Sequence, residues 1–241
     1  MHIKNFKPGH RTTSLLSLVV LAALAAIGVS SCTCDPNQPA PADYKIATMQ
    51  EGSNRPKEKF TYYDDGRVKT KERYGKTIAY NYYPGNVTVE TLGSTATQTM
   101  TLNAQGYIDI DEYNNYARTY DAEGHLIKKE AADPLNVSLF PTYYTYNADG
   151  NLAEATTLAP GVSLKATYEY YEEQDTRLDG LDWYYGKRSK NLVKEEKLNG
   201  VTVCLYSYGF DDRGRVIKQV RDYQIHQHVI VTTYTYFNSQ L

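Results

Sequence analysis

The stretch Tyr120-Asp121-Ala122-Glu123-Gly124-His125-Leu126 returns along the chain in altered form. Tyr146-Asn147-Ala148-Asp149-Gly150-Asn151-Leu152 and Phe210-Asp211-Asp212-Arg213-Gly214-Arg215-Val216 keep its spacing. So do Leu102-Asn103-Ala104-Gln105-Gly106-Tyr107-Ile108 and Tyr62-Tyr63-Asp64-Asp65-Gly66-Arg67-Val68, with a shortened form at Tyr82-Tyr83-Pro84-Gly85-Asn86-Val87. The shared pattern is an aromatic or Leu, usually Asp or Asn, two free positions, Gly, one free position, and an aliphatic. Its physical reading is a β-hairpin turn. Asp or Asn accepts hydrogen bonds from backbone N–H groups just downstream. Gly then takes the left-handed conformation of a G1 bulge that re-enters the second strand. Turn chemistry accounts for these carboxylates, so they are not read as catalytic groups or calcium ligands.

The flanks read as strands. Thr142 to Tyr146, Ala166 to Tyr170 and Thr232 to Tyr236 are rich in Thr and Tyr, both strand formers. Alternation puts Tyr144 with Tyr146, Tyr168 with Tyr170, Tyr206 with Tyr208 and Tyr234 with Tyr236 on shared faces. Further turn signals fall between the repeats: Tyr74-Gly75, Leu92-Gly93-Ser94, Asn114-Asn115, Asp133-Pro134, Pro160-Gly161 and Asn199-Gly200. About fourteen short strands follow, in an up-and-down antiparallel meander. Open sheets rarely exceed ~10 strands without curling. The expected fold is therefore all-β, a strongly curled or closed barrel with tyrosine along one face. Membrane-spanning strands need ~9–11 residues and an apolar outer band. These strands are shorter and their second face is Thr, Lys and Glu, so a spanning barrel is not expected.

Of 241 residues, 24 are Tyr against 5 Phe and 1 Trp, and the net charge is −2. That balance lacks the basic footprint of a nucleic-acid-binding domain. Residues 1–31 read as a signal segment: Lys4, Lys7 and Arg11 precede an uncharged apolar run from Leu15 to Val29, too short for a permanent span. Removing it takes those three cations away and shifts the net charge from −2 to −5. Residues 32–43, with Pro36, Pro39 and Pro41, read as an extended tether. About ten residues at ~3.1 Å each would reach roughly 30 Å. Residues 44–241 form the single β domain, interrupted by an irregular insertion near 172–190.

That insertion holds Trp183, Tyr184 and Tyr185, followed by Lys187 and Arg188. Aromatics beside cations could stack a glycan or dock a protein partner. Alternatively, Leu181, Trp183 and Tyr184 plug an open end of the sheet. Cys204 is either a small buried strand residue or the disulfide partner of Cys34. No nucleophile elbow, zinc-protease motif or phosphate-binding glycine loop is present, so neither an enzyme nor a cofactor is expected. Asp109 and Asp111 are the weak hydrolase candidates. His226 and His228 share a strand face without an evident third metal ligand.

Two resemblances add to this reading. The repeat is similar to the YD repeats of Rhs-type wall and toxin-shell proteins, over roughly residues 60–220 but in irregular copies. Val29-Ser30-Ser31-Cys32 resembles the lipobox of bacterial lipoproteins, whose Cys becomes the lipidated N-terminus. Together with the block Gly186-Lys187-Arg188-Ser189-Lys190-Asn191-Leu192 and the hairpin Tyr208 to Gly214, it resembles a lipoprotein family of Gram-negative gut anaerobes. That family is described as porin-like and of unknown function. The resemblance implies a lipid-anchored, barrel-like envelope protein, in the outer membrane by expectation, with no assigned activity. A binding module for a glycan or protein partner, or a structural lipoprotein, are the two functions it leaves open.

Overall fold

The computed structural model describes residues 45–112, 114–133, 135, 139–175, 183–225 and 227–237. The signal segment, Cys32, Cys34 and the tether lie outside the described residues. The strands are β1 (Ile46–Glu51), β2 (Glu58–Tyr62), β3 (Val68–Arg73), β4 (Lys76–Tyr83), β5 (Asn86–Thr91) and β6 (Thr97–Leu102). They continue with β7 (Ile108–Asp111), β8 (Tyr116–Tyr120), β9 (Leu126–Ala131), β10 (Thr142–Tyr146) and β11 (Leu152–Ala159). The last are β12 (Val162–Gln174), β13 (Asn191–Leu198), β14 (Val201–Phe210), β15 (Val216–Tyr223) and β16 (His228–Tyr236). Each pairs with its sequence neighbour, and β16 returns to β1 from Ile46↔Tyr236 to Glu51↔Thr232. The sheet is thus an antiparallel closed barrel of sixteen strands rather than about fourteen. The two additional strands come from turns at 52–57 and 224–227 that lack the repeat's spacing. Closure removes both sheet edges, which an open meander would leave unpaired.

The repeat turns lie at one end of the barrel, and the start of β1 and the finish of β16 share that end. Asp121 Oδ1 accepts from the Glu123 and His125 amides at 2.9 and 2.8 Å, and Gly124 sits at φ +93°. Asn103, Asn147 and Asp211 make the same pair of bonds in their turns. In the earliest copy Tyr63 holds the Asp position, and Asp65 instead caps Arg67 N at 3.0 Å.

The tyrosines toward the ends of the even strands have a separate task. Tyr62, Tyr82, Tyr120, Tyr146, Tyr170, Tyr208 and Tyr236 each donate from the hydroxyl to a carbonyl near the start of the preceding strand, at 2.7–3.0 Å. Only β6 departs, with Leu102 in place of tyrosine. The position after Gly is not free either. Arg67 lies over Tyr82, Tyr107 packs on Tyr120, His125 stacks on Tyr146 at 4.5 Å, and Arg215 lies over Tyr236. These four turns thus lay a planar group on the tyrosine of the next even strand, lining this end with stacked rings and guanidinium groups.

Inward residues form two apolar clusters, one around Ile46, Phe60, Val68, Leu192 and Val216, the other around Val87, Met100, Ile108 and Tyr184. Cys204 is buried on β14. The outer face carries polar pairs at mid-strand beside exposed apolar residues such as Ile110 and Leu205: Thr48 meets Thr235 at 2.8 Å, Thr61 meets Thr70 at 2.6 Å, and Lys59 meets Glu72 at 3.4 Å. Lys165 pairs there with Glu154, and Lys197 with Glu169.

Candidate functional site

The insertion between β12 and β13 folds over the repeat end. Its described backbone includes a 3₁₀ turn, Trp183–Tyr185. Tyr184 is 2% exposed and packs against Val87, Met100 and Ile108 on β5 to β7, across the barrel from the strands that carry the insertion. Tyr185 lies 5.0 Å from the Tyr184 ring and 5.0 Å from the Arg118 guanidinium. The block that follows is a set of attachments. A Cβ on Gly186 would come within 2.7 Å of Tyr120 Cε1 and 2.8 Å of the Gly124 carbonyl. Lys187 N donates to that carbonyl at 2.8 Å. Ser189 Oγ accepts from Leu152 N, and Asn191 exchanges two hydrogen bonds with Asn151. Arg188 lies at the surface, 3.8 Å from Asp175. The side chain of Trp183 and residues 176–182 lie outside the described residues.

The opposite end of the barrel is charged within. Glu51, Glu58, Lys71, Arg73 and Arg221 project inward from β1, β2, β3 and β15 around a cavity of about 370 Å³, which Arg55, Gln219, Thr232 and Tyr234 also line. Glu58, 6% exposed, sits 2.8 Å from Lys71 Nζ and 3.1 Å from Arg73 Nε. Glu51 is held by Arg55 at 3.0 Å and by Arg221. Among the described residues four cations face two carboxylates, so the cavity carries surplus positive charge in a partly desolvated setting, where unscreened charge attracts anions more strongly than at a free surface.

The other residues singled out in the sequence are dispersed. Asp111 is 1% exposed and accepts from Asn114 and Arg118, whereas Asp109 accepts from Thr101 at 2.5 Å. His228 stacks on Tyr223 at 4.7 Å, and His226 lies outside the described residues. The sequence reading missed the charged cavity. Its signal is phase: Glu58 alternates with Phe60 and Tyr62, and so carries charge on the aromatic face.

No protein-family model matches the chain. No curated protein matches it either. Among solved structures, it is similar to a porin-like protein from Bacteroides uniformis ATCC 8492 (TM-score 0.60, 14% identity), with 82% of this chain and 98% of that chain covered. It is also similar to a porin-like protein from Bacteroides vulgatus ATCC 8482 (TM-score 0.54, 12% identity), with 81% and 100% covered. At these identities the likeness is one of fold: this chain closes into a barrel as those porin-like proteins do.

Proposed function

We propose that this protein is a non-catalytic binding barrel of the cell envelope, anchored through lipid on Cys32, whose ligand enters the charged cavity. The observation that carries this reading is the surplus of cations around Glu51 and Glu58, in a barrel whose other end is packed with its own tyrosines. A glycan bearing carboxylate or sulfate groups fits that chemistry: Arg73 and Arg221 offer forked donors, and Tyr234 offers a ring. The tyrosine face is a weaker candidate, because its hydroxyls already serve backbone carbonyls. The lipobox-like Val29-Ser30-Ser31-Cys32 and the likeness to porin-like Bacteroides barrels support the envelope location. The polar pairs at mid-strand on the outer face support a barrel standing in water beside the membrane rather than across it.

The test is calorimetry of the full-length chain in detergent against acidic and neutral polysaccharides, with Trp183 fluorescence read in parallel. Saturable binding of an acidic class, weakened at least tenfold in Arg221→Gln with Trp183 unmoved, is the expected result. Binding that shifts Trp183 and ignores Arg221→Gln would return the site to the insertion.

The satisfied tyrosine hydroxyls favour a second reading, a structural lipoprotein with no small ligand. It expects deletion to disturb envelope integrity rather than growth on any glycan.

A further inference from the structure

A second charged group lies inside the barrel on β7 to β10, across from the strands that line the cavity. Arg118 and Lys129 are direct cross-strand partners, and both side chains point inward. Like charges placed opposite one another on a sheet repel, and more so away from water. Among the described residues the one carboxylate at hand, Asp111, does not balance them. Asp111 accepts from Asn114 through both oxygens, at 3.1 and 2.8 Å, and meets Arg118 Nη2 only at 3.4 Å. The Arg118 side chain is 7% exposed, and its Nη1 is buried with no hydrogen-bond acceptor among the described residues. An unmet buried guanidinium N–H costs more than a neutral donor would. Lys129 has no carboxylate partner among the described residues and rests over the Tyr116 ring at 4.5 Å. Burial, and then the Arg118 charge, hold its ammonium below the usual lysine range.

We infer that Arg118 and Lys129 form a binding site for a small oxyanion, with Thr142 and Tyr116 beside it. An oxyanion between the two cations would accept from the orphaned Nη1 and from Lys129 Nζ. Thr142, the partner of Lys129 on β10, adds a hydroxyl, and the Tyr185 ring 5.0 Å from Arg118 closes one side. A tetrahedral sulfate and a planar carboxylate share this chemistry. The site shares no residue with the Glu51 and Glu58 cavity, so the two stand or fall separately.

The experiment is thermal unfolding and calorimetry of the full-length chain in detergent at low salt, titrated with sodium sulfate and, in a second arm, sodium acetate. Sodium chloride at matched ionic strength is the control. The expected result is a saturable rise in Tm and a binding heat with at least one oxyanion, absent with chloride. Lys129→Gln, at a half-buried position, should weaken that affinity at least tenfold, and Lys129→Arg should restore it. Preference for sulfate or acetate identifies the geometry of the anion. An equal Tm rise with chloride, or equal oxyanion affinity in wild type and Lys129→Gln, overturns the inference. Binding lost in Arg221→Gln but kept in Lys129→Gln overturns it too, because the anion then sits in the other cavity.

Discussion

The Tyr236 hydroxyl donates to the carbonyl of Val216 at 2.7 Å, joining the end of β16 to the start of β15. The same bond recurs from Tyr62 to Ile46, Tyr120 to Ile108 and Tyr146 to Leu126, so these tyrosines belong to the barrel's wall. A carbonyl at a strand start has a lone pair that the ladder leaves unused, and phenylalanine would fill the space without serving it. Tyr236→Phe is therefore expected to lower stability by about 1–2 kcal/mol, read as a fall in the urea midpoint with unchanged slope. Leu102→Phe, on the one even strand without such a tyrosine, should show no loss of this kind. Equal stability of Tyr236→Phe and wild type would reduce the bond to a packing coincidence.

How much was legible in the sequence follows from the reach of each interaction. The Asp121–Gly124 turn was readable because its hydrogen bonds close within four residues. The stacking of His125 on Tyr146 and of Arg215 on Tyr236 was not, since each pair bridges neighbouring hairpins. The turn at 224–227 went unread because Gln224, Ile225 and Gln227 are not turn formers, although Gln227 takes φ +47°. The cavity was the least accessible. Glu51 and Arg221 meet only because β1 closes on β16, and closure was an expectation with no register attached.

Gly186 should tolerate no side chain. It has φ +96°, and an added Cβ would meet both Tyr120 and the backbone oxygen of Gly124. Gly186→Ala is expected to cost about 2 kcal/mol or more and to loosen the insertion. Amide exchange at Lys187, whose N–H bonds Gly124 O, should accelerate before that of the strands. Unchanged protection at Lys187 would mean that the insertion is held elsewhere.

Acid should weaken the repeat turns. Burial pushes the Asp121 carboxyl up, but the backbone and ring of His125 and the Glu123 amide hold it below the usual carboxylate range. Asp211 is held low against burial by Arg215 and Arg213, and Asp65 is held low chiefly by Arg67. A lowered folded pKa gives stability that is full above the unfolded value, about 4, and is lost as the pH falls through the folded value. Tm should thus be insensitive to these groups from pH 5 to 8, as a rough window, and fall below about pH 4. Asp121→Asn keeps the turn, as Asn103 and Asn147 do, and should fold at neutral pH with a shallower acid limb. Identical acid limbs for wild type and variant would remove Asp121 from the titration.

Two neighbouring residues on β2 should behave oppositely. Lys59 faces water, 59% exposed at its side chain, and its partner Glu72 is 45% exposed. Such a pair contributes about 0–1 kcal/mol after screening, so Lys59→Gln should leave the denaturation midpoint almost unmoved. Glu58 faces the cavity with 7% of its side chain exposed, between Lys71 and Arg73. Removing its charge strands two cations in a setting that already holds a surplus, and breaking a buried pair from one side costs roughly 3–5 kcal/mol. Glu58→Gln should lower the urea midpoint sharply, and added salt should recover part of the loss by screening Lys71 and Arg73. An acidic ligand in the cavity would supply the missing charge, so its stabilising effect should be larger on Glu58→Gln than on wild type. Equal midpoints for Glu58→Gln and Lys59→Gln would mean that water already screens the cavity, and the attraction for an acidic glycan would weaken with it.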